Sequence, residues 1–214
     1  MAEVLILHGW QNRRPEGHWQ RWLAAELRGL GHEVRYPQLP EPDAPLRADW
    51  LAALEAELRG TDPEQLTVVA HSLGCLLWVA HATARAAAGQ DVPTARRVVL
   101  VAPPSDAVLA TIPEIASFAA TRPAASAAGE GDPAVAAAEV GPGLRAALAA
   151  ASLEPPVVVA GDDDEYSPVE ADGLAARFGL ERIVVEGGGH LTIDDGFGPF
   201  PLLLELLQAA PAAR

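Results

Sequence analysis

Apolar residues along the chain fall into two alternating kinds of run. Short unbroken runs rich in Val, Ile and Leu occur at Val4–Leu7, Glu33–Tyr36, Leu66–Ala70, Arg97–Ala102, Pro156–Ala160 and Arg182–Val185. None has the every-other-residue alternation of a half-exposed strand, so each predicts a strand covered on both faces. Between them lie longer stretches whose apolar residues return every three or four positions: His18–Leu30, Ala48–Arg59, Leu73–Ala88, Val169–Phe178 and Pro201–Ala209. That spacing predicts helices with one buried face. Strands alternating with helices imply an α/β fold, a doubly wound and mostly parallel sheet of about six strands with helices on both sides. A single domain spanning 1–214 is the expectation at this length.

One region interrupts the rhythm. From Pro103 to Glu154 the chain is rich in Ala with scattered Pro and Gly, and it carries no strand signal. Two readings stand side by side: a pair of crossover helices joined by a loop, or a short lid over the carboxyl edge of the sheet, where open α/β sheets bind ligands.

Composition narrows the function classes. Half of the residues are hydrophobic, enough for a sizeable core, and the formal net charge of −14 argues against a nucleic-acid or acidic-membrane partner. The single cysteine, Cys75, allows neither an internal disulfide nor a thiolate metal cluster. The opening MAEVLILHGW reads as a first strand, not a signal peptide, and no run reaches the roughly 18 apolar residues of a membrane span. A cytoplasmic location is the resulting expectation.

The candidate chemistry lies just past the strands. In a parallel sheet the loops that follow the strands gather at one edge. After the third strand comes Ala70-His71-Ser72-Leu73-Gly74, after the fifth Gly161–Pro168 with three successive aspartates, and after the sixth Gly187-Gly188-Gly189-His190. By itself Ser72 could be an ordinary helix N-cap. A serine, an acid and a histidine, in that order and at one edge, instead form the constellation of an activated serine nucleophile. The G-x-S-x-G pattern that lets such a serine stand clear of the sheet is matched except that Ala70 replaces the first Gly. An oxyanion hole would draw on the backbone N–H groups of Leu73 and of Trp10, in the loop after the first strand. His18, His32 and His81 read as exposed or partly buried helix and loop residues, with His71 pointing away from Ser72.

Trp10, Ile112, Ile115 and Phe118 are candidates for an apolar substrate pocket, although such residues at helical spacing are more often core. The Trp10 side chain could equally pack on Trp19 or Trp22. Asp162–Glu165 with Asp194 and Asp195 could suggest a cation site, but adjacent acids in an extended loop point alternately apart, so a solvated acidic loop is the better reading and no metal is expected. Cys75 reads as a small half-buried hydrophobe within the helix. A non-catalytic interaction module on the same scaffold is the rival from another class, and it would need none of the three residues.

LHGW near the amino terminus, HSLG at Ser72, the DD-x-Y-x-P acid loop, GGGH, and GFGPF at Gly196–Phe200 resemble the small serine hydrolases of the RBBP9/YdeN family, over nearly the whole chain. The resemblance implies a three-layer α/β-hydrolase fold without a large cap, strand order 2-1-3-4-5-6, a Ser–Asp–His triad, no cofactor and a physiological substrate that is usually unknown; hydrolysis of a small-molecule acyl substrate, an ester or amide, is the leading expectation. It also selects Asp164 among the three aspartates, since the catalytic acid of such loops commonly stands four residues before a Pro, here Pro168. Geometry points the same way, because an acid a few residues past the strand can reach sideways toward His190. Asp162 is then expected to point elsewhere, and Asp163 to face the opposite side and stay solvated.

Overall fold

The computed structural model describes residues 2–90, 92–119, 143–167 and 179–209. Six parallel strands form one sheet: β1 (Glu3–Leu7), β2 (Glu33–Arg35), β3 (Leu66–His71), β4 (Arg97–Val101), β5 (Val157–Gly161) and β6 (Glu181–Val185). Their order is β2-β1-β3-β4-β5-β6, as the resemblance implies. The chain moves outward from β1 to β2 and then returns to β3 on the other side. The loops after β1 and β3 therefore diverge from neighbouring strand ends, opening a crevice at the carboxyl edge.

Both faces of the central strands are apolar, and each has its own helices. Leu5, Leu7, Val68, Ala70 and Leu100 face α2 (Arg47–Leu58) and α3 (Leu73–Ala87). Val4, Ile6, Val69, Val99 and Val159 face α1 (Trp19–Gly29) and the helix Pro201–Gln208. This double burial is why the strand runs lack alternation. One edge differs from expectation: β6, the last strand of the sheet among the described residues, is largely exposed, with Val184 about half exposed. Edge strands commonly carry charge, and Glu181 and Arg182 supply it here.

In the interrupted region, Ser105 Oγ accepts the Val108 N–H at 3.3 Å to cap the short helix Asp106–Leu109, and a 3₁₀ turn follows at Ala116–Phe118. Residues 143–150 are helical and bury Leu144, Ala147 and Leu148. The middle of the Ala-rich segment, 120–142, and the helix expected at Val169–Phe178 lie outside the described residues. No large cap domain is present among the described residues, and no helix there is long and apolar enough to cross a membrane.

Candidate active site

Ser72 sits between β3 and α3 with φ 52° and ψ −122°, a conformation that L-residues rarely adopt. Its N–H donates to the Val101 carbonyl of the neighbouring strand at 2.9 Å, which anchors the turn to the sheet. Its hydroxyl makes no cap hydrogen bond to α3, so Ser72 is not there as an ordinary N-cap. Small neighbours make room. A Cβ on Gly74 would come within 2.8 Å of the His8 carbonyl oxygen, and one on Gly9 within 2.8 Å of the Ser72 Cβ. Ala70, in place of the pattern's first Gly, is fully buried in register with Leu7 and Leu100, so its methyl is accommodated.

The sheet edge brings His190 to this serine across 118 positions of chain. His190 Nε2 lies 2.9 Å from Ser72 Oγ, and its Nδ1 lies 3.0 Å from both carboxylate oxygens of Asp164. Asp164 is 2% exposed and also accepts the Tyr166 N–H at 2.9 Å. A carboxylate can only accept from Nδ1–H, which leaves the Nε2 lone pair free to take the serine proton. The Tyr166 ring covers the imidazole at 4.5 Å between centroids.

The other two aspartates are exposed and away from the His190 ring, as expected, but each also bonds the histidine loop, which was not. Asp162 Oδ1 accepts the Gly187 N–H at 2.8 Å, and Asp163 Oδ1 accepts the Gly189 N–H at 2.7 Å. With Asp164 on His190, three successive acids thus hold three positions of the histidine loop. Asp195 closes the far end of that loop, accepting the Thr192 N–H at 2.9 Å and its hydroxyl at 2.7 Å. Four of the six acids of the candidate cation site, Asp162, Asp163, Asp164 and Asp195, are thus engaged in hydrogen bonds of these loops. The loop glycines are needed at close approach, since a Cβ at Gly161 would run into the Gly189 carbonyl and one at Gly189 into the Asp195 carboxylate.

Several histidines are more deeply involved than their sequence context suggests. His18 is buried and caps α1 by accepting the Gln20 N–H at 3.2 Å. His8 is buried beside Gly9, donates Nδ1–H to the Gly9 carbonyl at 2.8 Å and accepts the Leu39 N–H at 2.8 Å, which braces the loop after β1. Burial lowers the pKa of both to about 4, so both are neutral. His71 does not point idly away. Its Nε2 lies 3.0 Å from the His190 carbonyl oxygen, and burial, with the neighbouring His190 and His18, holds its pKa well below the ordinary value. His81 is also buried, against Glu55 and Thr94.

The remaining candidates divide between cleft and core. A cleft of about 670 Å³ opens over Ser72, lined among the described residues by Trp10, Ile115, His18, Tyr166, Thr192 and Ile193 together with the Ser72 and His190 loops. Neither the Trp10 N–H nor the Leu73 N–H has a recorded acceptor among the described residues. The Trp10 indole donates to the Asp43 carbonyl at 3.0 Å and packs against the α2–α3 core, not against Trp19 or Trp22, which lie on the opposite face of the sheet. Trp19 instead donates to the Leu191 carbonyl at 2.9 Å, bracing the residue after His190. Phe118 is buried edge-on to Trp50 at 5.2 Å, and Ile112 packs against the same core, so neither reaches the cleft. Cys75 is fully, not half, buried, near the Ala70 and Val101 carbonyls, and burial raises its pKa strongly, which disfavours a thiolate.

Comparison with known proteins agrees with this architecture. YdeN of Bacillus subtilis (strain 168) is 25% identical over 211 residues, covering 97% of this chain and 95% of YdeN. The YdeN crystal structure superposes with a TM-score of 0.69 at 24% identity, covering 97% of each chain. A YdeN-like protein from Pectobacterium atrosepticum shares the fold at a TM-score of 0.63 and 20% identity, over 97% of this chain and 89% of that one. The esterase domain of a Rhodothermus marinus protein does so at 0.59 and 17%, over 96% and 84%. Residues 4–209 match the serine hydrolase family, and the chain therefore belongs to it.

Proposed function

We propose that the chain, acting as a single α/β-hydrolase domain, cleaves small esters, amides or thioesters through an acyl-enzyme on Ser72. His190 is the base and Asp164 the carboxylate that orients it. The observation that carries this reading is the continuous hydrogen-bond path from Ser72 Oγ through His190 to Asp164, 2.9 and 3.0 Å, on a strained turn that opens into a cleft. In the first half-reaction Ser72 Oγ bonds to the acyl carbon while its proton passes to Nε2. The tetrahedral oxyanion is received by the Trp10 and Leu73 N–H groups, and collapse expels the leaving group with the proton from Nε2. Water then repeats the sequence on the acyl-enzyme, releasing the acid and restoring Ser72. Every proton is carried by the chain itself, so the route calls on no cofactor.

The cleft pairs apolar walls at Trp10 and Ile115 with polar groups, which suits a small acyl substrate. A purely interaction-mediating role accounts less well for the site, since it gives no reason to hold Ser72 at a strained φ. A fluorophosphonate probe tests the proposal: it should label Ser72, and Ser72→Ala should abolish both labelling and p-nitrophenyl ester hydrolysis. Iodoacetamide should leave both intact, because the only cysteine is buried. Unchanged labelling in Ser72→Ala would refute the assignment.

A further inference from the structure

His71 ends β3, directly before Ser72, and its Nε2 lies 3.0 Å from the backbone oxygen of His190, which is 119 positions away in the chain. The ring is 3% exposed. It sits 5.3 Å from the His190 ring and 5.5 Å from both His18 and Trp19, centroid to centroid. A neutral imidazole has one N–H, and the carbonyl contact requires it on Nε2. Nδ1 is then a lone pair, and it is buried with no hydrogen-bond partner. An apolar ring or branched aliphatic would fill the same space without that unsatisfied acceptor. What only the histidine supplies is the Nε2–H bond to the His190 carbonyl.

We propose that His71 is a positioning residue for His190, clamping its backbone to the strand that presents Ser72. Asp164 holds the imidazole through Nδ1, while His71 holds the peptide from which that side chain springs. The Gly189 N–H, one residue earlier, is bound by Asp163 from the acid loop. Glycines with positive φ at 187 and 189 would otherwise leave this segment free to pivot. The clamp ties the loop to the end of β3 beside the Ser72 turn, so serine and base move as one body. The neutral state of His71 suits this task, since a cation there would face the imidazolium that forms on His190 during turnover. The inference rests on the reading of His190 as the base.

Three substitutions separate donor from filler. A Gln amide nitrogen falls where His Nε2 lies, an Asn amide stops near Nδ1, and Leu has no donor. With p-nitrophenyl butyrate, His71→Leu and His71→Asn should lower kcat at least tenfold, about 1.4 kcal/mol of barrier, with KM within about twofold. His71→Gln should recover to within roughly threefold of wild type, as one restored hydrogen bond would allow. The low-field proton resonance of His190 Nδ1–H should be sharp in wild type and His71→Gln and broadened in the other two, which requires no turnover. If His71→Leu fails to fold, the Asn and Gln variants decide. A folded His71→Leu with full kcat and a sharp resonance overturns the proposal, and so does equal impairment of Gln and Asn. Wild-type protein that no fluorophosphonate labels would overturn the triad and this inference together, whereas labelled wild type with an unimpaired His71→Leu overturns this inference alone.

Discussion

Replacing Asp164 by Asn separates the proposed orienting acid from its two neighbours by magnitude. Asp164 is buried with both oxygens 3.0 Å from His190 Nδ1. In the proposed mechanism His190 takes the serine proton, and the new charge then faces the carboxylate at that distance. With an effective dielectric near 20, Coulomb attraction is roughly 5.5 kcal/mol, equivalent to about 10⁴ in rate. An amide removes the charge and can also present N–H₂ to Nδ1, which would move the imidazole proton to Nε2, where it blocks acceptance from Ser72. The same substitution in Ser–His–Asp proteases costs about 10⁴ in turnover. Asp162→Asn and Asp163→Asn keep an oxygen for the Gly187 and Gly189 N–H groups, so each should stay within about tenfold, roughly 1.4 kcal/mol. Asp163→Ala, which has no such oxygen, should be the worse of the two Asp163 changes. The assay is kcat on p-nitrophenyl butyrate, with thermal melting to confirm folding. Asp163→Asn emerging as the crippling change, or Asp164→Asn keeping a tenth of wild-type turnover, would refute the reasoning.

Acid should destabilise the fold through histidines kept neutral inside it. His8 and His18 titrate near pH 4 when folded but near 6.5 when unfolded, so the unfolded chain binds the extra protons and stability falls as pH drops from about 6.5 toward 4. Each group contributes on the order of 3 kcal/mol across that window, and urea midpoints at pH 7 and pH 4.5 that coincide would contradict it. Phe118→Ala should cost about 3–5 kcal/mol of stability, because its ring is buried against Trp50. Ile115→Ala, at the cleft wall, should instead shift acyl-chain preference in an ester series. The opposite pattern in melting temperature and chain-length preference would reverse the two roles.

The central sheet was legible because parallel strands covered on both faces leave apolar runs without alternation. The register of loops across the sheet edge was not. Ser72, Asp164 and His190 could be selected because their order and their place after strands constrain them jointly. Which backbone N–H groups Asp162 and Asp163 would meet depends on how two loops 25 positions apart approach each other, and alternation along an extended chain cannot supply that. Trp10 and Ile115 could not be told from Ile112 and Phe118, since apolar spacing records burial against something without saying whether that is core or cleft. The buried histidines were missed for a related reason: His8, His18 and His71 are neutral packing groups held by one or two directed hydrogen bonds, and single residues of that kind leave no periodic signal. For His71 the one available hint was its place beside Ser72.

A second hydrogen-bond chain in the molecule shows why three polar residues in line do not make a site. His81 Nδ1 lies 2.6 Å from Glu55 Oε1, and its Nε2 lies 3.0 Å from Thr94 Oγ1, an acid–imidazole–hydroxyl path much like the one at Ser72. The resemblance stops at the hydroxyl. Thr94 Oγ1 also lies 3.4 Å from the Ala151 carbonyl, the residue stands in the approach to β4, and it does not line the cleft over Ser72. There the imidazole ties α2 to α3 and to the Ala151 turn. At Ser72 the hydroxyl is lifted off the helix by a positive φ, two glycines leave room around it, and the cleft gives a substrate carbonyl somewhere to sit. The reactivity proposed for Ser72 rests on that strained presentation and open approach, which the Glu55–His81–Thr94 path lacks, so a fluorophosphonate should discriminate completely between the two hydroxyls.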